Sequence, residues 1–206
     1  MTTATASPLG PASAPEPAPR RGDDTRARIE RAALELFVAE GLAETSIKDI
    51  ARAAGVSQGA LYVHYPSKEA LARALFERGF AFAAADLEAA AAAARDVPGQ
   101  LAGMVRALYE RFDADWPLFG FCFRVRHRHA GAVPGGPGNP YTVFRRVIAE
   151  AQAAGRIPPR DPDLMAALVT GAIMQPVDIR ILTGAFAGPL ADRAPEVAAA
   201  CARLLA

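Results

Sequence analysis

Apolar side chains recur along this chain at intervals of three and four, the period of helices that bury one side. From Asp24 onward, Ile29, Ala33, Leu36 and Phe37 fall at i, i+4, i+7 and i+8, one stripe of a helix that stops near Gly41. Ser46 followed by Asp49 is a capping-box signature ahead of Ile47, Ile50 and Ala54, and Gly55 closes this short second helix. Ser57 caps a third helix that runs to about Tyr65. Pro66 ends it, and Ser67 caps a long fourth helix whose Leu71, Leu75, Phe82 and Leu87 give way to an alanine run ending near Arg95.

The remainder repeats this grammar without an internal sequence repeat. Asp96 and Pro98 open a helix with Leu101, Met104, Val105, Leu108, Tyr109 and Phe112 on one face. Trp116-Pro117 begins an apolar stretch to Phe123, which turns basic from Arg124 to His129, and residues 131–138 hold enough Gly and Pro to predict a loop. Asn139-Pro140 starts a helix with Tyr141, Phe144, Val147 and Ile148 inward, ended by Gly155. Asp161-Pro162 starts an apolar one containing Leu164, Leu168, Val169 and Ile173, with a kink expected at Pro176, and Pro195 opens the last. No useful period-2 segment appears, so the fold expected is all-α with about nine helices in total. The expected layout is an Ala/Pro-rich tail over 1–22, a small helical domain over 23–70 and a larger one over 71–206.

Composition narrows the function classes. The 23 Lys and Arg are balanced by 22 Asp and Glu, which excludes a coating or histone-like protein, so any nucleic-acid contact must be local. The longest charge-free apolar run, Leu164 to Val177, is broken by Gln175 and Pro176 and is shorter than the about 20 residues of a spanning helix. With no secretion signal at the start, a cytoplasmic protein without a membrane segment is expected. Cys122 and Cys201 are expected to be reduced, packed thiols.

The segment Ser46 to Lys68 carries the chemistry. Two short helices flank the tight turn Ala54-Gly55-Val56, the helix-turn-helix arrangement in which the start of the second helix faces base edges in the major groove. Small Ala51 and Ala54 let the helices cross, while Ile50, Val56 and Leu61 fill the space beneath. Ser57, Gln58, Gly59, Ala60 and Tyr62 are left pointing outward. Gln58 suits bidentate pairing with adenine, Ser57 bonds either way, Ala60 suits a thymine methyl, and Gly59 lets the backbone approach. Tyr62, His64, Lys68, Ser46 and Lys48 are the expected phosphate contacts. Residues 25–70 carry six cations (Arg26, Arg28, Arg31, Lys48, Arg52, Lys68) against six carboxylates, so a few aimed groups must carry the affinity and a shallow salt dependence is expected. The pair Arg20-Arg21 reads as part of a solvated tail, with a minor-groove arm as the alternative.

The stretch from Thr25 to Leu71 resembles the DNA-binding domain of the TetR family of bacterial transcriptional regulators. The matching residues are Thr25, Ala32-Ala33, Leu36-Phe37, Glu40-Gly41, Thr45-Ser46, Ile50-Ala51, Ala54-Gly55-Val56-Ser57, Gly59, Leu61-Tyr62, His64-Tyr65 and Ser67 to Leu71. Val63 departs from the pattern, and its position is expected to be silent in recognition. The resemblance implies a homodimer on a double-stranded DNA operator, a ligand pocket in the C-terminal helices, and release of DNA when a small-molecule inducer binds.

Met104, Tyr109, Trp116, Phe119, Phe123 and Met174 are the candidate pocket residues, with plain core packing as the alternative for each. The basic run Arg124 to His129 reads as a solvated helix end, or one member as the partner of an anionic inducer. No histidine has Glu three residues before it and no Cys/His cluster has ligand spacing, so no metal and no cofactor are expected. A ligand-responsive repressor is the leading reading. A constitutive architectural dimer is the second, and an all-α enzyme ranks last because it would lack a nucleophile elbow, a phosphate loop and a zincin motif.

Overall fold

The computed structural model describes residues 21–129 and 139–206, so residues 1–20 of the tail expected over 1–22, and the expected loop over 131–138, lie outside it. Among the described residues there are nine α-helices, one 3-10 turn and no strand. They are α1 (Arg21–Ala39), α2 (Ile47–Ala54), α3 (Gln58–His64), α4 (Lys68–Ala93), α5 (Val97–Ala114), α6 (Trp116–His129), α7 (Pro140–Ala153), α8 (Pro162–Thr183) and α9 (Ala194–Leu205), with the turn at Leu190–Arg193.

The helix starts follow from local chemistry. The side chains of Ser46, Ser57, Ser67, Asp96, Asn139 and Asp161 each accept a backbone N–H from the first turn of the helix that follows. Each therefore satisfies a donor that the helix itself leaves unpaired. The turn after α2 closes in the same local way: Gly55 sits at φ 65°, and the N–H of Val56 donates to the Ala51 carbonyl at 3.0 Å. Arg28 of α1 then donates to the carbonyls of Ala54 and Gly55 at 2.6 and 3.0 Å. A Cβ at Gly55 would lie 2.7 Å from that guanidinium nitrogen. Gly55→Ala therefore meets both left-handed strain and the loss of the Arg28 cap, and should lower stability by about 1 to 3 kcal/mol. A urea titration checks this, and an unchanged midpoint would refute it.

One packed apolar set runs from α1 to α9. Ile29, Ala33 and Phe37 of α1 close on Ile50 of α2 and Leu61 of α3. The long α4 leaves this cluster and packs against α5, α6 and α7, while α5 lies between α4 and α9. Helices α1 to α3 form a head that is tied to α6 directly, where the Phe37 and Phe121 rings stack with centroids 5.3 Å apart. Helix α8 packs on α7 and α9.

Four details differ from the sequence expectation. Helix α1 begins at Arg21, inside the segment expected to be tail. Phe82 is exposed beneath the Arg111 guanidinium, because the buried stripe of α4 runs through Leu75, Gly79, Ala83 and Leu87. Leu164 and Leu168 also face outward, since the inward side of α8 is Met165, Ala166, Val169 and Ile173. Finally, the apolar run expected to be too short to span lies within the 22-residue α8, which contains Pro176 and is long and apolar enough by length and composition to cross a membrane. It carries Asp178 and Arg180, which pair with Arg126 and Asp113 on α6 and α5.

Candidate nucleic-acid interface

The helix α3 is seated by Leu61, which is fully buried, and by Tyr65, which follows its last turn. With that side fixed inward, Gln58, Gly59, Tyr62 and Val63 all lie on the exposed side. Ser57 is the N-cap and its hydroxyl accepts the N–H of Ala60 at 3.1 Å. Ala60 and His64 are half-buried at the edges of this face. Val63 is 82% exposed, a larger exposure than the 51% of Tyr62, so the side chain that the sequence reading left out stands well clear of the surface. Its signal was available in the helical period, because Val63 lies four residues after Gly59 on the same face.

The flanking polar groups are partly engaged within the protein. Ser46 caps α2 and its hydroxyl donates to the Asp49 carboxylate at 2.5 Å, which with Arg52 holds that carboxyl below the usual carboxylate range. Lys48 is exposed at the start of α2. Lys68 has its ammonium within 2.7 to 3.1 Å of the carbonyls of Leu42, Ala43 and Thr45, so all three donors close the turn between α1 and α2. Of the other cations of the head, Arg26 and Arg52 pair with Glu30 and Asp49, Arg31 pairs with Asp115, and Arg28 caps α2.

Beneath the head lies a buried polar junction. The Glu30 carboxylate, with the residue 5% exposed, accepts from Arg26 on α1 at 2.9 Å, from the Tyr65 hydroxyl after α3, and from Arg78 on α4. This one group joins three helices, and Arg78 is the last residue before the body of α4 meets a cavity.

That cavity, partly open and of about 200 Å³, lies between α4, α5, α6, α7 and α8. Of the candidate pocket residues, Phe119, Phe123 and Met174 lie on its wall, joined by Phe80, Phe112 and Phe144. Met104 and Tyr109 are fully buried elsewhere, Tyr109 donating to the Ile173 carbonyl at 2.8 Å in surroundings that raise its hydroxyl well above the ordinary phenol range. Trp116 sits half-buried under the Arg180 guanidinium. Arg126, expected at a solvated helix end, turns to the cavity and pairs with Asp178. Among the described residues no three His, Cys, Asp or Glu side chains gather where a metal would bind.

Comparison with known proteins matches this layout. The family model for bacterial regulatory proteins of the tetR family matches residues 29–75. The HTH-type transcriptional regulator SrpR of Pseudomonas putida is 50% identical over 46 residues, 22% of this chain and 22% of that one. The HTH-type transcriptional regulator TtgR of Pseudomonas putida is 44% identical over 54 residues, 26% of each chain. These matches thus span about a quarter of the relatives' length. Over most of the chain the fold is similar to a tetR-family regulatory protein from Rhodococcus RHA1, with TM-score 0.73, 24% identity and coverage of 88% of this chain and 96% of that one. It is also similar to FadR from Bacillus subtilis in complex with stearoyl-CoA, with TM-score 0.70, 17% identity and coverage of 87% and 97%.

Proposed function

We propose that the whole chain is a transcriptional regulator, a repressor that holds a near-palindromic operator as a homodimer and is released by a small molecule; the match of residues 29–75 to the tetR-family model supports this reading. The observation that carries this reading is α3, clamped by Leu61 and Tyr65 so that Gln58, Gly59, Tyr62 and Val63 form one outward face. A major groove admits one helix, and the residues at its leading end meet base edges. Gln58 would pair with an adenine, Ser57 and Ala60 would stand beside it, and the Val63 methyls would meet a thymine methyl. Tyr62, His64, Ser46 and Lys48 would position the helix on phosphates, with Lys68 holding the α1–α2 turn in place.

A second copy supplies the twofold. Leu164, Leu168 and Leu182 stand exposed along α8 with Gly171 between them, an apolar stripe that a partner's α8 and α9 would cover. The cavity supports ligand response over a constitutive architectural role. Its wall includes Gly79, Phe80 and Ala83 of α4, and the preceding Arg78 holds Glu30 of the head, so a ligand that moves α4 pulls on the junction under α3. By linkage, operator DNA must weaken ligand binding by the factor that ligand weakens DNA binding.

Mobility-shift titrations against an operator and its single-base variants test the reading face. Gln58→Ala should relax preference at one position of each half-site by about 1 to 3 kcal/mol, and Lys48→Ala should weaken binding to all sequences alike and lower the salt slope by about 1 per contact. If Gln58→Ala leaves base preference unchanged, α3 does not read DNA through this face.

A further inference from the structure

The wall of the cavity limits what enters it. It presents the aromatic faces and edges of Phe112, Phe119 and Phe123, with Phe119 tilted against Phe112 at 5.3 Å between centroids and Phe123 edge-on to it at 6.2 Å. Three polar groups of the wall are engaged by the protein itself, the first being the Asn139 side-chain oxygen, which accepts the Tyr141 N–H at 3.0 Å. Thr170 donates to the Ala166 carbonyl at 2.6 Å, and the Tyr141 hydroxyl donates to the Asp163 carbonyl at 3.1 Å. Among the described residues Arg126 is the one charged side chain on the wall, and its charge is answered by Asp178 at 3.0 Å. It also donates to the Phe123 carbonyl at 2.6 Å and lies 3.9 Å above the Phe123 ring. A carboxylate or phosphate entering here would lose part of its water and meet a guanidinium already neutralised, which disfavours it.

We propose that this cavity binds a compact, uncharged aromatic molecule of one substituted ring or two fused rings, and discriminates against anionic ligands of the same shape. The size follows from the volume: about 200 Å³ exceeds the roughly 150 Å³ apolar cavity that holds a benzene ring, and is too small to hold a long acyl chain whole. The inference rests on the regulatory reading for its consequence, release of DNA, and on the wall alone for its ligand class.

The test uses the full chain and a pair of ligands alike in shape, isopropylbenzene and benzoate, with palmitoyl-CoA as the long anionic arm. Calorimetric titration at neutral pH should show isopropylbenzene binding at least about tenfold more tightly than benzoate, with no binding of palmitoyl-CoA in the cavity. Ala83→Leu, which fills the wall, should weaken isopropylbenzene by about tenfold or more while the thermal midpoint holds or rises. Benzoate or palmitoyl-CoA binding as tightly as isopropylbenzene, in a manner that Ala83→Leu blocks, would overturn the ligand class and leave the regulatory reading standing. Isopropylbenzene binding with operator affinity unchanged would keep the ligand class and refute ligand release. Absence of binding by all three would overturn the proposal outright, leaving the cavity as a packing void.

Discussion

Glu30→Ala should lower the stability of the folded chain by about 2 to 3 kcal/mol, read as a shift in the urea midpoint at constant slope. The carboxylate is buried and serves Arg26, Tyr65 and Arg78 together, so its removal takes the acceptor from the Arg78 guanidinium and from the Tyr65 O–H, whose oxygen keeps only the bond it accepts from Arg26 at 3.0 Å. The buried Nε of Arg78 has no hydrogen-bond partner among the described residues, so the guanidinium depends all the more on Glu30. The side chain of Arg78 is 34% exposed, and water screens part of the loss, which places the effect just below the about 3 to 5 kcal/mol of a fully buried broken pair. Tyr65→Phe should cost about 1 kcal/mol, and the double variant Glu30→Ala/Arg78→Ala should cost less than the sum of the single ones. A Glu30→Ala effect below about 0.5 kcal/mol would remove the junction from any account of how the head is held.

The second large effect is on assembly. Leu168→Glu places a carboxylate in the centre of the exposed α8 stripe, where Leu168 is 44% exposed in a single copy. The fold of one copy should be unaffected, but a twofold interface would bury two unpaired charges against each other. Sedimentation at micromolar concentration should show a dimer for the natural chain and a monomer for the variant. Operator affinity should then fall by about 10²- to 10⁴-fold, because the two half-sites are no longer engaged by one tethered pair. Phe82→Glu, at a similarly exposed apolar site on α4, should leave the dimer intact. A Leu168→Glu chain that remains dimeric would place the interface elsewhere.

What the sequence made legible was local. The caps at Ser46, Ser57 and Ser67 and the positive φ at Gly55 depend on hydrogen bonds and sterics a few residues away, and each was visible as a residue type at a fixed offset. The outward face of α3 was legible for the same reason, once Leu61 was assigned inward. What the sequence hid was contact between distant segments. Lys68 looked like a phosphate ligand until its neighbours Leu42, Ala43 and Thr45, more than twenty residues away, came within hydrogen-bond distance. Arg126 looked like a solvated end because Asp178 lies fifty-two residues on. The cavity separated Phe119, Phe123 and Met174 from Met104 and Tyr109, residues with the same apolar character and helical spacing, because only packing decides which side chains meet a space.

The most direct test of the central claim is sequencing of the DNA that the purified chain selects from a random pool. Two α3 helices related by a twofold should enrich a near-palindrome with half-sites about one helical turn apart, roughly 34 Å between centres. Replacing Gln58 with alanine should relax one symmetric pair of positions within it. Selection of no sequence, or of a motif without twofold symmetry that Gln58→Ala leaves untouched, would contradict that claim.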